Sequence, residues 1–251
     1  MPIVRIVRIV LMALKDKILK RGSRAPFFLG PKTAYLYLMW VLFYFMLAGL
    51  SYAAIHFEAE FLAKIQAKYG EYAKRRLVSW EKVFVENKDK TTQEKLKNVN
   101  LFFNLIEFKT DMTVWGATDY WATPLELLVA GAGDCEDYSI AKYFTLIELG
   151  IPEEKLFITY VQALELNQAH MVLTYYETPD AIPLVLDNLN GEILPGNKRT
   201  DLKPIYSLNG KGLWRAKQQG LGNALGQPKD IKKWDDMTQR ILGGKISEFI
   251  Q

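Results

Sequence analysis

Residues 131–138 read Gly131-Ala132-Gly133-Asp134-Cys135-Glu136-Asp137-Tyr138, a glycine-bearing turn that runs directly into an apolar helical pattern. The pattern places Cys135, the only cysteine of the 251-residue chain, in the first turn of a helix. This predicted helix continues to Gly150, with Pro152 beyond it as a stop signal, and is apolar on most of its faces. We therefore expect a central, buried helix whose unpaired N–H groups favour a thiolate at Cys135.

Helices are predicted before this stretch and strands after it. Apolar residues recur with the helical period through residues 58–109, and Thr123, Pro124 and Glu126 form a helix start that leads to the glycines at 131 and 133. Further elements are expected as strands at 156–164, 170–176, 183–189 and near 205–208, and as an amphipathic helix near 230–242. This order predicts an α+β fold in which the cysteine helix packs on an antiparallel sheet.

The strands place a histidine beside an aspartate. His170 and Asp187 lie on consecutive strands joined by an even-length loop, and in an antiparallel hairpin this puts the two side chains on one face. A carboxylate there would fix the imidazole tautomer that faces a thiol, which gives Cys135, His170 and Asp187 as a candidate triad. The spacing alone leaves three other interpretations open: a buried, inert cysteine, a core histidine, and an aspartate that starts a turn.

Three acids flank the cysteine. Asp134, Glu136 and Asp137 suit the positive end of a helix, and Asp134 with Asp137 is typical of a capping box. Three carboxylates beside a thiol should also raise its pKa, unless a cation neutralises them. A cluster of oxygen ligands suits Ca²⁺ rather than zinc, so helix capping and calcium binding both remain open.

The chain begins with a basic leader and an apolar segment. Residues 1–32 carry eight basic residues against one acid, and residues 33–55 carry no charge, which is long enough to cross a bilayer. The positive-inside rule then predicts a signal anchor at 33–55 and an exported domain at 56–251. A cleaved signal peptide with its cleavage site near 51–54 is the alternative. The overall charge of +4 leaves about −3 outside the leader, which argues against nucleic-acid binding.

Several short motifs, in this order, resemble those of the bacterial transglutaminase-like cysteine peptidases, specifically the LapG type of periplasmic adhesin protease. The motifs are Tyr120-Trp121-Ala122-Thr123-Pro124, Gly133 to Tyr143, Ala169-His170-Met171-Val172-Leu173 and Val185-Leu186-Asp187-Asn188. The resemblance spans about residues 75–215 and implies a papain-like core with the triad Cys135, His170 and Asp187. It also implies a Ca²⁺ requirement met by Asp134 and Glu136, with Asp137 closer to a bystander.

The resemblance further implies a substrate and a regulator. Members of this family cut a large surface adhesin near its N-terminus, which releases the adhesin and disperses biofilm, and an inner-membrane cyclic-di-GMP receptor sequesters them. A retained anchor at 33–55 would depart from the many family members that are soluble in the periplasm after signal removal. We therefore expect an inner-membrane, calcium-dependent endopeptidase with its catalytic domain in the periplasm, and an oxyanion site near the Cys135 N–H, with Trp121 as a candidate second donor. A transglutaminase-type acyl transferase and a non-catalytic interaction module are the alternatives.

Overall fold

The structure, a computed structural model, describes residues 55–217 and 219–242. Its helices are α1 (Ala59–Tyr69), α2 (Glu71–Asn87), α3 (Thr92–Phe103), α4 (Asp111–Trp115), α5 (Pro124–Ala130), α6 (Cys135–Glu148) and α7 (Lys232–Leu242). Its strands are β1 (Glu107–Phe108), β2 (Ala132–Gly133), β3 (Leu156–Ala163), β4 (Gln168–Tyr175), β5 (Leu184–Leu186), β6 (Leu194–Pro195), β7 (Leu202–Asn209), β8 (Gly212–Ala216) and β9 (Leu221–Gly226).

Glycine conformation and helix capping set several boundaries of the helices that precede Cys135. The apolar pattern predicted as helical over 58–109 is divided into α1, α2 and α3. Gly70, which adopts a φ of +89°, separates α1 from α2. The chain leaves the helix after Phe103 and forms the short strand β1, which pairs in parallel with β2. Helix α5 starts at the predicted capping box, in which the Glu126 N–H donates to Oγ1 of Thr123 and the Thr123 N–H donates to Oε2 of Glu126.

Within the described residues, β3 to β9 form one antiparallel sheet with the strand order β6-β5-β4-β3-β7-β8-β9. The pairing of β4 with β5 sets Thr174 opposite Val185 and Leu173 opposite Leu186. Directly opposite residues share a face, so the predicted even–odd relation between these strands is confirmed. Strands β8 and β9 were not expected, because β9 is half-exposed and contains two glycines, which leaves no apolar alternation to detect.

Helix α6 packs across this sheet. The main core joins α6 side chains such as Ile140 and Leu146 to Ile158, Leu173 and Leu208 of the sheet. A second, smaller cluster contains Val161, Ala163, Val172, Val185 and Leu202. The predicted combination of a buried cysteine helix with an antiparallel sheet is therefore confirmed.

None of the helices in the described part of the chain is both long and apolar enough to span a membrane. The leader predicted at 1–32 lies outside the described residues, and so does the segment predicted at 33–55 except for Ile55.

Candidate active site

Cys135 and His170 line one cavity of about 600 Å³. Cys135 is the first residue of α6 and is half-buried, while His170 lies on β4 and is almost fully buried. The other walls of the cavity include the aromatic side chains of Trp121, Tyr160 and Tyr206, the last two of which stack with ring centroids 4.9 Å apart. The fold thus brings the thiol and the imidazole to one accessible space.

His170 is hydrogen-bonded to Asp187. Nε2 of His170 lies 2.8 Å from Oδ1 of Asp187, and both side chains are almost fully buried. Because an ionised carboxylate only accepts hydrogen bonds, Nε2 carries the proton in this contact. The other ring nitrogen, Nδ1, is then the one that can take a proton from a thiol.

Asp187 is held ionised by its neighbours. Burial raises its pKa, but hydrogen bonding and charge from His170 and hydrogen bonds from the Leu189 N–H and Arg199 lower it more, to about 2. The Leu189 N–H donates to Oδ1 at 3.0 Å, and Nη2 of Arg199 donates to Oδ2 at 2.7 Å. Lys142 of α6 is a second buried cation near Asp187, and its burial lowers its pKa to about 7 although the Asp187 charge acts in the opposite sense.

Sequence reasoning missed Arg199. It lies in the segment between β6 and β7, where no periodic pattern points to a buried residue, and arginine side chains are mostly exposed. In the structure the Arg199 side chain is only 4% exposed. The burial of Arg199 can be recognised only when the fold places Asp187 beside it.

The Cys135 thiol is hydrogen-bonded to the Glu136 carboxylate. Sγ of Cys135 donates to Oε2 of Glu136 at 3.1 Å. Burial raises the pKa of Cys135 above its usual range, and the Glu136 and Asp134 carboxylates raise it further. The helix N-terminus was expected to favour a thiolate, but burial and the two acids outweigh its effect on the pKa of Cys135.

The predicted acids differ in their surroundings. Burial, followed by the Glu136 charge, raises the pKa of Asp134 to about 8, and burial also raises the pKa of Glu136. Asp137 is fully buried, and its two oxygens accept from the Ala122 N–H at 2.7 Å and the Asp134 N–H at 3.4 Å. Asp137 therefore ties the loop before α5 to the start of α6, which is the capping role.

Two further acids, which sequence reasoning missed, join this cluster. Carboxylate oxygens of Asp111, Asp119 and Glu136 lie within 4.8 Å of one another, as do those of Asp111, Asp134 and Asp137. In the described part of the chain, Oδ1 of Asp111 and Oδ1 of Asp134 are buried without a hydrogen-bond partner. These unsatisfied oxygens and raised carboxylate pKa values fit a site for a cation. The segment at 109–120, which includes α4, carries no spacing pattern that would have revealed the contact.

Trp121 lies in the cavity wall, and the C-terminal helix fixes its backbone. Nη2 of Arg240, on α7, donates to the Trp121 carbonyl, and the Arg240 guanidinium lies 4.5 Å from the centroid of the Tyr120 ring. The proposed role of Trp121 as an oxyanion donor stays a prediction.

The chain is similar to known proteins in both sequence and fold. A family model described as bacterial transglutaminase-like cysteine proteinase matches residues 70–206. A solved structure of Legionella pneumophila LapG is 42% identical, with a TM-score of 0.63, over 72% of this chain and 95% of that one. The calcium-bound form of Legionella pneumophila LapG is 43% identical, with a TM-score of 0.62, over 74% of this chain and 99% of that one. A comparison with curated proteins finds no significant match.

Proposed function

The chain belongs to the bacterial transglutaminase-like cysteine proteinases, and on that premise we propose that it is a calcium-dependent endopeptidase that cleaves the N-terminal region of a large surface adhesin. The observation that carries the proposal is the placement of the only cysteine and a buried His170–Asp187 pair around one cavity. A binding module would not require this combination of groups.

In the proposed mechanism each side chain of the candidate triad has its own step. Nδ1 of His170 takes the thiol proton, and Sγ of Cys135 attacks the scissile carbonyl carbon to form a tetrahedral oxyanion. His170 then returns the proton to the leaving amine, the C–N bond breaks, and water hydrolyses the remaining thioester. Asp187 keeps the proton on Nε2 and stabilises the imidazolium that forms. The Cys135 backbone N–H, at the start of α6, is the expected first oxyanion donor.

Calcium is the proposed cofactor, and Asp134 and Glu136 are its proposed ligands. Asp111 and Asp119 extend the same acidic cluster, and Asp137 lies at its buried side. A bound Ca²⁺ would supply positive charge that offsets these carboxylates. The residues present fit such an ion, because Asp111 and Asp134 each keep a buried oxygen without a partner among the described residues.

The adhesin substrate and the cellular setting follow from the family resemblance. Cleavage would release the adhesin and promote biofilm dispersal, and an inner-membrane cyclic-di-GMP receptor would act as the inhibitor. Residues 33–55 would anchor the enzyme in the inner membrane with its catalytic domain in the periplasm. A soluble periplasmic form after signal cleavage is the alternative.

The test is direct proteolysis by the purified full-length protein. Candidate adhesin N-terminal fragments are incubated with the enzyme in Ca²⁺ and in EGTA, beside the Cys135→Ala variant, and the products are identified by mass. We expect one cleavage that requires both Ca²⁺ and the thiol. An added primary amine distinguishes hydrolysis from acyl transfer, since a transglutaminase would give the amine adduct. Cleavage by the Cys135→Ala protein would refute the mechanism.

A further inference from the structure

The contact between Arg199 and Asp187 gives the candidate triad a fourth member. We propose that Arg199 is a positioning residue that holds Oδ2 of Asp187, so that Oδ1 stays directed at Nε2 of His170. This inference rests on the proposed function, since positioning matters only if His170 acts as a base.

The hydrogen bonds of Asp187 divide between its two oxygens. Oδ1 accepts from His170 at 2.8 Å and from the Leu189 N–H at 3.0 Å, and Oδ2 accepts from Nη2 of Arg199 at 2.7 Å. A carboxylate can rotate about its Cβ–Cγ bond, and this would change the oxygen that faces the imidazole. A charged donor fixed on Oδ2 opposes that rotation.

Arg199 is itself held in place. Its Nε donates to Oδ1 of Asp201 at 2.9 Å, and its Nη2 donates to Oδ2 of Asp201 at 2.7 Å. This two-pronged contact orients the planar guanidinium, so that Nη2 also reaches Asp187. The Asp201 backbone is tied to the end of β3, because the Leu164 N–H donates to the Asp201 carbonyl at 2.7 Å. The chain of contacts therefore runs from the sheet through Asp201 and Arg199 to the triad.

Among the charged groups near Asp187 in the described structure, Arg199 is the cation that donates a hydrogen bond to it. His170 faces Asp187 from β4, Arg199 from the segment before β7 and Lys142 from α6, and Asp201 lies on the far side of Arg199. Lys142 acts on Asp187 through charge, whereas Arg199 donates a hydrogen bond to it. In the described part of the chain Arg199 is not among the residues that line the cavity, so its effect on the reaction passes through Asp187.

The test compares Arg199→Met and Arg199→Lys with the wild-type full-length protein. Arg199→Met removes the guanidinium N–H donors and keeps much of the apolar side-chain volume. Arg199→Lys keeps the positive charge and loses the planar guanidinium. Arg76→Met is the matched control: Arg76 is a half-buried arginine that donates to the Leu128 and Val129 carbonyls at the end of α5 and has no contact with Asp187 in the described structure. The fold of every variant is checked by circular dichroism.

The main readout is the imidazole tautomer, from ¹⁵N chemical shifts. The chain has two histidines, and the exposed His56 serves as the internal reference. We expect the Nε2–H tautomer for His170 in the wild type, a mixture in Arg199→Met, partial recovery in Arg199→Lys, and the wild-type spectrum in Arg76→Met. The second readout is kcat and KM on a cleaved peptide. We expect kcat to fall about 10-fold to 100-fold in Arg199→Met, the range typical of residues that orient metal ligands through hydrogen bonds, and KM to stay unchanged.

The outcomes separate the two proposals. A folded Arg199→Met protein with the wild-type His170 tautomer and kcat would overturn the role of Arg199. If the wild type cleaves no substrate, the proposed function fails while the tautomer still decides the positioning role. If Arg199→Met does not fold, Asp201→Asn takes its place, because Asp201 is one-third exposed. This substitution weakens the contact that orients Arg199, so it should shift the His170 tautomer in the same direction by a smaller amount.

Discussion

At the scale of single residues, the environment of each member of the candidate triad fits its proposed role. Cys135 is half-buried at a cavity wall, His170 is buried with one nitrogen engaged, and Asp187 is buried with three donors around it. A core histidine and a turn-forming aspartate would each be satisfied without the other. Their mutual contact, beside the cavity that Cys135 lines, is what favours the catalytic interpretation.

Substitutions in the triad should be graded in severity. Cys135→Ala and His170→Ala should abolish cleavage, because each removes an atom that exchanges the proton or forms the thioester. Asp187→Asn should lower kcat by about 100-fold to 10,000-fold and leave residual activity, since it disturbs orientation and keeps the nucleophile and base. Steady-state kinetics with circular dichroism as the folding control would check this. A wild-type rate in His170→Ala would show that another residue is the base.

Acid should remove a contribution that Asp187 makes to stability. The pKa of Asp187 is about 2 in the folded protein, against about 3.9 in an unfolded chain. Because folding depresses this pKa, the contribution is fully present above about pH 4 and is lost as the pH falls towards 2, with a size of about 2 to 3 kcal/mol. Urea unfolding of the wild type and Asp187→Asn should therefore differ most at neutral pH. A difference that stays constant down to about pH 3 would contradict the argument.

At the scale of elements, the start of α6 depends on a close approach between Gly133 and Asp137. A Cβ added to Gly133 would lie 2.6 Å from Oδ2 of Asp137 and 2.7 Å from Cδ1 of Leu127. Asp137 cannot move freely, because it is fully buried and accepts from the Ala122 N–H. The glycine before the cysteine is therefore required by packing between α5, α6 and the loop that carries Trp121.

Gly133→Ala should lower both stability and activity. Overpacking at this position should cost about 1 to 3 kcal/mol and displace Asp137, which shifts Cys135 at the start of the helix. Gly191→Ala is the control, since the nearest atom to a new Cβ there is Nδ2 of Asn104 at 4.0 Å. Thermal unfolding and the rate of peptide cleavage would measure the two effects. Equal stability of the two variants would show that the crowding at Gly133 is relieved without cost.

At the scale of the whole molecule, metal removal should inactivate the protein without unfolding it. The acidic cluster lies at one end of α6, whereas the main core extends from the first three helices through α6 to the sheet. EGTA should therefore abolish cleavage and change the thermal midpoint little. Ca²⁺ should restore activity and Mg²⁺ should do so poorly, because Mg²⁺ requires a small octahedral shell.

The thiol reports directly on this effect, since Cys135 is the only cysteine of the chain. Alkylation of Cys135 by iodoacetamide should be faster with Ca²⁺ than with EGTA, because positive charge near Asp134 and Glu136 favours the thiolate. Asp134→Ala and Glu136→Ala should each remove the calcium response, and calorimetry would measure the binding. No heat of binding together with an unchanged alkylation rate would return these acids to helix capping alone.

Fractionation of cells would test the membrane anchor. If residues 33–55 are retained, the full-length protein should stay with membranes after carbonate extraction, because an apolar segment of this length is stable in the bilayer core. Gln251 should then lie on the periplasmic side. A soluble periplasmic protein that begins near Ala54 or Ile55 would show instead that the segment is a cleaved signal peptide.

The sequence by itself indicated the main helices, several strands of the sheet and the candidate reactive groups. A helix start has a local chemical signature, so Thr123, Pro124 and Asp134 are readable without tertiary information. The single cysteine left one candidate nucleophile, and strand alternation placed His170 and Asp187 on one face. The register of β4 with β5 confirms that relation.

Tertiary structure alone decided the surroundings of those groups. Arg199 reaches Asp187, and Asp111 reaches Asp134, from separate segments of the chain, and no local pattern encodes contacts that form when such segments fold together. The raised pKa of the Cys135 thiol is likewise due mainly to burial, and a sequence does not show how buried each residue is. The physical reason is that periodicity and capping are local, whereas desolvation and charge pairing depend on which distant segments exclude water from the same space.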